Sequence, residues 1–287
     1  MSRRADAPGW TLVIPVKSLT GAKTRLAPEL GPTERAALAR AFALDTIDAA
    51  RAAQGVRRVV VVSDEAVIEA ELRGMPGADV VPEFGPRGLA AAIAHGIAVA
   101  REDSGAPAQP GPRPALHAPA DSAVDETRAR TTRVAPRGTA VLLGDLPAVR
   151  PGDLDAALDA AARHPLAFVA DAEGTGTTLA TALAGVPFDA HFGPDSAARH
   201  RSAGFADLVA LDAPAIAAGL RRDVDTATEL REAIGLGVRA RTAEVVRGLA
   251  DRLDLVEGRA SRHPLDPSTA PQGAATAPHG ADRKAAS

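Results

Sequence analysis

Residues 139–151, TAVLLGDLPAVRP, constrain the fold of this chain more than any other stretch. Alanine, valine and leucine run on until Gly144, Asp145 and Pro147 stop them. An apolar run of this kind suits a strand covered on both faces, as at the centre of a sheet flanked by helices. Asp145 then stands at the strand's carboxyl end. Open α/β sheets bind ligands there, and a carboxylate in that place can hold a metal against phosphate oxygens. The competing reading makes Asp145 a cap for the helix after Pro151, but Asp153 and Asp155 already serve that helix start.

The flanking sequence repeats the strand-then-helix pattern. Residues 10–16, WTLVIPV, form a strand candidate that runs into a basic loop holding Lys17, Lys23 and Arg25. After Pro32 a helix is expected, capped by Thr33, with Glu34 at its positive end and Leu38, Phe42, Leu44 and Ile47 near helical spacing. A valine strand at 59–62, a helix at 64–73 closed by Gly74, a strand at 79–81 and a helix at 89–101 follow. Beyond the central strand come a helix at 154–162, a strand at 166–170, and a glycine and threonine loop at 173–179. A helix carrying Arg199 and His200, a late strand at 206–211, a helix capped by Thr226 and a last helix at about 242–253 complete the reading. Such alternation predicts a three-layer α/β fold with a mainly parallel central sheet.

From about 102 to 138 the pattern fails. Proline, alanine, arginine and threonine dominate there, and no apolar periodicity offsets the entropy of ordering the segment. Because the alternation resumes at once, we read one domain over 10–244 with a disordered insertion at about 102–138, and flexible tails at 1–9 and about 255–287. The net charge of -3, with basic residues spread along the chain, gives no case for nucleic acid or an anionic membrane as partner. The absence of cysteine excludes disulfides, thiolate catalysis and cysteine-ligated metals. No segment approaches the ~20 apolar residues of a spanning helix, so a soluble, cytoplasmic protein is expected.

Lys17, Lys23 and Arg25 can neutralise phosphate oxygens as charge shifts to a leaving group, although GxxxxGK is not met because Ala22 precedes Lys23. A solvated basic turn is the plainer alternative. Gly174-Thr175-Gly176-Thr177 lacks the third glycine of a dinucleotide fingerprint. Asp223-Val224-Asp225-Thr226 has the outline of a phosphatase DxDx[TV] signature, but Ala227 holds its fifth position and the preceding residues make a poor strand. The basic loop, Asp145 and a late Asp225 together describe a metal-dependent nucleotidyl transferase, since two distant carboxylates can meet at one Mg²⁺.

Several segments, in order, resemble the phosphoenolpyruvate and 2-phospho-L-lactate guanylyltransferases of coenzyme F-420 biosynthesis. They are 14–19 (IPVKSL) through 22–26 (AKTRL), 62–65 (VSDE), Gly88-Leu89, 144–147 (GDLP), 174–178 (GTGTT), 192–200 (FGPDSAARH) and 223–226 (DVDT). The resemblance implies a nucleotide-diphospho-sugar-transferase-like, Rossmann-like fold and transfer of GMP from GTP to the acceptor's phosphate, with release of pyrophosphate. It implies Asp145 and Asp225 as Mg²⁺ ligands, with Asp223 in reserve, and Lys17, Lys23 and Arg25 on the triphosphate. Ser63, Gly88 and Leu89 would lie along the nucleotide; Thr178, Gly193 and Ser196 would bind the acceptor. One departure stands out: the family commonly has Asn after Gly-Leu, whereas this chain has Ala90, which removes a hydrogen-bond partner worth about 1 kcal/mol near the base. A molybdopterin or sugar-phosphate nucleotidyltransferase, a non-catalytic nucleotide-binding protein and a phosphatase using Asp223 are the alternatives. Phosphoenolpyruvate is favoured as acceptor by the actinobacterial-type, alanine- and arginine-rich composition, and the reading leaves room for a homodimer.

Overall fold

The computed structural model describes residues 9–83, 88–102, 137–212 and 216–250, all within one compact unit. The insertion expected at about 102–138 lies, save for its end residues, outside the described residues, as do most of both tails and the far end of the last helix. Among the described residues seven strands form one sheet: β1 (Trp10–Pro15), β2 (Val56–Val62), β3 (Ala78–Val81), β4 (Gly138–Leu142), β5 (Leu166–Ala170), β6 (Thr177–Leu183) and β7 (Ala206–Asp207). Their order is β3-β2-β1-β4-β6-β5-β7, with β6 antiparallel to both neighbours and every other pairing parallel.

The helices are α1 (Pro32–Ala52), α2 (Ala66–Leu72), α3 (Leu89–Glu102), α4 (Pro151–Ala161), α5 (Ser196–Ser202), α6 (Leu208–Asp212), α7 (Ala218–Arg221), α8 (Ala227–Leu236) and α9 (Ala240–Gly248). Alternate strand residues divide between two cores. Leu12, Ile14, Val61 and Leu142 pack with Ile47 of α1 and Leu154 of α4. Val13, Val60 and Val141 pack with Ile93 and Ile97 of α3 on the other face. Both faces are covered, which is why the central strands read as unbroken apolar runs. Gly96 lets α3 settle onto the sheet, because a Cβ there would stand 2.3 Å from Val13 Cγ1. Among the described residues no helix is long and apolar enough to cross a membrane.

Three local expectations are corrected. The cap of α1 is Gly31 rather than Thr33: Pro32 presets the first helical φ, and Glu34 accepts the Gly31 N–H at 2.8 Å. The stretch 206–211 forms only the two-residue β7 before α6 begins, because Asp207 Oδ1 accepts the N–H groups of Val209 at 3.1 Å and Ala210 at 3.2 Å. Residues 177–179 belong to β6, a central strand, and not to a loop.

A third core sits below the ligand end of the sheet. Leu26, Phe42, Val224, Leu230 and Val246 meet there. Asp45 of α1 closes it by accepting the Arg241 N–H at 3.2 Å and the Thr242 N–H at 2.8 Å at the start of α9. The expected capping of α8 is present, with Thr226 and Glu229 bonded reciprocally.

Candidate active site

A cleft of about 390 Å³ opens at the carboxyl ends of β1 and β4, lined in part by Lys17, Lys23, Leu89, Asp145, Asp223 and Asp225. Gly144 turns the chain out of β4 close against β1, where a Cβ would lie 3.1 Å from the Pro15 carbonyl oxygen. Asp145 follows. Lys23 Nζ donates to Asp145 Oδ2 at 2.6 Å and to Asp225 Oδ1 at 3.0 Å, which joins three segments far apart in the chain. Lys23 holds φ of 54°, a left-handed conformation uncommon for a side-chain-bearing residue, and its carbonyl accepts the N–H of the buried Leu26 at 2.9 Å. Val224, fully buried, anchors the two carboxylates beside it, and its burial contributes about 2 kcal/mol.

Burial of Lys23 works against its charged form, but Asp145 and Asp225 outweigh that effect and raise its pKa above the ordinary lysine value. Asp223 is pushed up to about 7, first by burial and then by the charges of Asp145 and Asp225. Two carboxylates thus share one ammonium, with Asp223 close enough to feel the charge of both. Asp145 Oδ1 is also buried without a hydrogen-bond partner. An orphaned carboxylate oxygen and excess negative charge fit a divalent cation bound by oxygen ligands. Asp171, Glu173 and Asp223 also bring carboxylate oxygens within 4.8 Å of one another. Two members of that group are engaged already: Asp171 accepts the N–H groups of Thr175 at 2.9 Å and Gly176 at 2.7 Å, and Glu173 pairs with Arg222 at 2.6 Å.

The other sequence candidates fall in three places. Lys17 is exposed on the cleft wall, while Arg25, 72 % exposed, reaches Asp225 only at 3.9 Å. Ser63 is buried, and its hydroxyl accepts the Glu65 N–H at 3.2 Å rather than facing the cleft. Gly88 is exposed with φ of 128° just before α3, and Leu89 is on the cleft wall. Thr178, Gly193 and Ser196 do not line the cleft. Thr178 is fully buried with an unpartnered hydroxyl, and the Ser196 N–H donates to the Gly193 carbonyl at 3.2 Å.

Sequence reasoning passed over two supports of the site. Glu65, at the end of the valine strand, accepts the Leu19 N–H at 2.9 Å and fixes the basic loop. Arg221 donates to the carbonyls of Ala170 at 3.1 Å and Asp171 at 2.7 Å, stapling the end of β5 to the segment that delivers Asp223. Glu65 stood in the 62–65 segment of the resemblance with no role assigned to it; Arg221 gave no sequence signal.

His200 joins β6 to α5. Nδ1 lies 2.9 Å from the Ser196 carbonyl oxygen and 3.0 Å from Thr177 Oγ1, and Nε2 accepts the His191 N–H at 3.0 Å. That arrangement requires a neutral ring with its proton on Nδ1. Burial above all, opposed in part by the Ser196 carbonyl, pushes the His200 pKa down to about 4. An unfolded histidine titrates near 6.5. The stability that His200 contributes is therefore present above about pH 6.5 and is lost as pH falls toward 4, by up to about 3 kcal/mol. Urea unfolding at pH 7 and pH 4.5 measures the loss, which should be smaller in His200→Gln; equal losses in the two proteins would contradict it.

The sheet order, the single antiparallel strand and the cleft of acidic and basic groups at the strands' carboxyl ends define a nucleotide-diphospho-sugar-transferase-like α/β protein. A solved structure from Desulfovibrio desulfuricans G20, assigned to the nucleotide-diphospho-sugar transferases, shares this fold with a TM-score of 0.57 at 15% identity, covering 87% of this chain and 98% of its own. The family model described as guanylyl transferase CofC like matches residues 10–105. The phosphoenolpyruvate guanylyltransferase of Sanguibacter keddieii is 43% identical over 267 residues, which cover 83% of this chain and 84% of the relative. That of Streptomyces scabiei is 44% identical over 241 residues, 82% and 94% of the two chains. The chain belongs to the phosphoenolpyruvate guanylyltransferase family.

Proposed function

We infer that this protein transfers GMP from GTP to the phosphate of phosphoenolpyruvate and releases pyrophosphate, a step in coenzyme F-420 biosynthesis in the cytoplasm. The observation that carries this reading is the cluster of Lys23, Asp145 and Asp225 at the carboxyl ends of the central strands, in a chain of this family. An oxygen of the acceptor phosphate forms a bond to the α-phosphorus of GTP. The bond from that phosphorus to the bridging oxygen breaks, and pyrophosphate leaves with the electron pair. The attacking phosphate is ionised near neutral pH, so no general base is required, and catalysis rests on positioning and charge neutralisation.

Asp145 and Asp225, joined by Asp223, would hold a divalent cation, Mg²⁺ in this reading. Such an ion, when bound, neutralises phosphate oxygens and stabilises the departing pyrophosphate. Lys23 sits among these carboxylates and would share the charge of the triphosphate, with Lys17 and Arg25 reaching it from the exposed loop. Leu89 and the Gly88 backbone would border the nucleotide, and Ser63, which accepts the Glu65 N–H, would support the basic loop that Glu65 holds through Leu19. Thr178, Gly193 and Ser196 would form the acceptor subsite; the unpartnered Thr178 hydroxyl supports a polar ligand beside β6. Ala90 at the exposed start of α3 offers the base no amide. The names of the relatives favour phosphoenolpyruvate over 2-phospho-L-lactate. A phosphatase using Asp223 is disfavoured, because Asp223 follows helix α7 and not a strand.

The test is pyrophosphate release with Mg²⁺, GTP and a panel of acceptors: phosphoenolpyruvate, 2-phospho-L-lactate, a sugar 1-phosphate and molybdopterin. Release that depends on phosphoenolpyruvate is expected. No acceptor-dependent release with any nucleoside triphosphate would sink the reading.

A further inference from the structure

Thr46, in the middle of α1, is fully buried, yet its side chain is polar. Its hydroxyl donates to the Phe42 carbonyl at 2.8 Å, so its remaining lone pairs face outward from the helix. One of them accepts the Leu146 N–H at 3.2 Å. Leu146 follows Asp145 directly and is itself fully buried, so no water can replace this acceptor. On the other side of Asp145, the Leu143 N–H donates to the Thr178 carbonyl at 2.9 Å. Asp145 is thus bracketed by a strand bond before it and a helix side-chain bond after it. The turn continues from Pro147, whose carbonyl accepts the Arg239 N–H at 2.9 Å. The Thr46 bond is the one in this set that a side-chain substitution can remove without touching the turn.

We propose that Thr46 is a positioning residue for the reacting centre: its hydroxyl fixes the peptide after Asp145 and so aims that carboxylate at the bound cation. The inference rests on the reading of Asp145 as a cation ligand. It acts through Asp145 alone, since α1 contributes no carboxylate to the cleft. A hydroxyl in this place also gives a reason for a threonine inside a helix, where a β-branched residue has no intrinsic advantage.

The experiment titrates the full-length, nucleotide-free protein with Mn²⁺ by electron paramagnetic resonance, and measures kcat and KM for the cation in pyrophosphate release. Thr46→Val and Thr46→Ala remove the hydroxyl; Thr46→Ser keeps it. The two hydroxyl-free variants are expected to bind Mn²⁺ about tenfold more weakly and to need correspondingly more cation for half-maximal turnover, and Thr46→Ser to restore both. Parental Mn²⁺ affinity in folded Thr46→Val would overturn the proposal. So would failure of both hydroxyl-free variants to fold beside a normal Thr46→Ser, which would assign Thr46 to folding. Asp145→Asn in the same titration separates the two levels. If it binds Mn²⁺ as the parent does, the reading of Asp145 is wrong; if it loses binding while Thr46→Val keeps it, only the role of Thr46 is wrong.

Discussion

Asp145→Asn is expected to lower phosphoenolpyruvate-dependent pyrophosphate release by about three orders of magnitude while the protein stays folded. The substitution keeps the shape of the side chain and an oxygen able to accept from Lys23, but removes the charge. Asp145 Oδ1 has no protein partner, so no hydrogen bond within the protein is lost there. The loss therefore falls on the bound cation and the triphosphate it neutralises. A second consequence follows from the neighbours. Burial and then Asp145 lead the causes that hold Asp223 near 7, so in the variant Asp223 should give up its proton at lower pH. Steady-state turnover, thermal unfolding and a proton-release titration check these points together. Turnover close to the parental rate would remove Asp145 from the reacting centre.

How much of this was legible in the sequence depended on whether the signal was local. The valine and leucine runs of β1, β2 and β4 announced buried parallel strands because nothing polar interrupts them. The capping pair Thr226 and Glu229 announced α8 because both residues act within one turn. β6 escaped because its sequence, TTLATAL, follows a glycine-rich turn and mixes threonine with small apolar residues. Residues 177–179 were expected in a loop, but within β6 Thr177 Oγ1 lies 3.0 Å from His200 Nδ1 and Thr181 Oγ1 donates to the Ala167 carbonyl at 3.3 Å. Those partners lie on other elements, and no pattern within seven residues can reveal them. β-branched content was the available clue.

The site divides in the same way. Asp145 could be placed at a strand's end from its own surroundings. Its meeting with Lys23, 122 positions away, and the meeting of Lys23 with Asp225, 202 positions away, is a product of sheet order and of the third core. Spacing cannot encode such a contact; the residue pattern grouped the basic loop with Asp145 and Asp225, and only the preference for Asp225 over Asp223 came from the resemblance. The supports provided by Thr46, Glu65 and Arg221 lie one step further out. Each is a side chain bonded to another segment's backbone, which any sequence can offer.

Lys23→Met gives the second large effect, and its sign differs between two measurements. Methionine keeps the length of the side chain and removes the ammonium, which leaves Asp225 its 3.9 Å pair with the exposed Arg25. In the nucleotide-free protein a cation must now compete with Lys23 for Asp145 Oδ2 and Asp225 Oδ1. Without Lys23 that competition ends, so Mn²⁺ should bind the variant at least as tightly as the parent. The triphosphate loses its buried positive partner at the same time, so pyrophosphate release should fall by roughly a hundredfold or more. A merely structural lysine would move both readouts downward together, because an unfolded cleft binds neither ligand. Mn²⁺ titration and turnover measured on one preparation decide the matter: weakened cation binding beside lost turnover would make Lys23 a strut of the site and not a charge that serves the nucleotide.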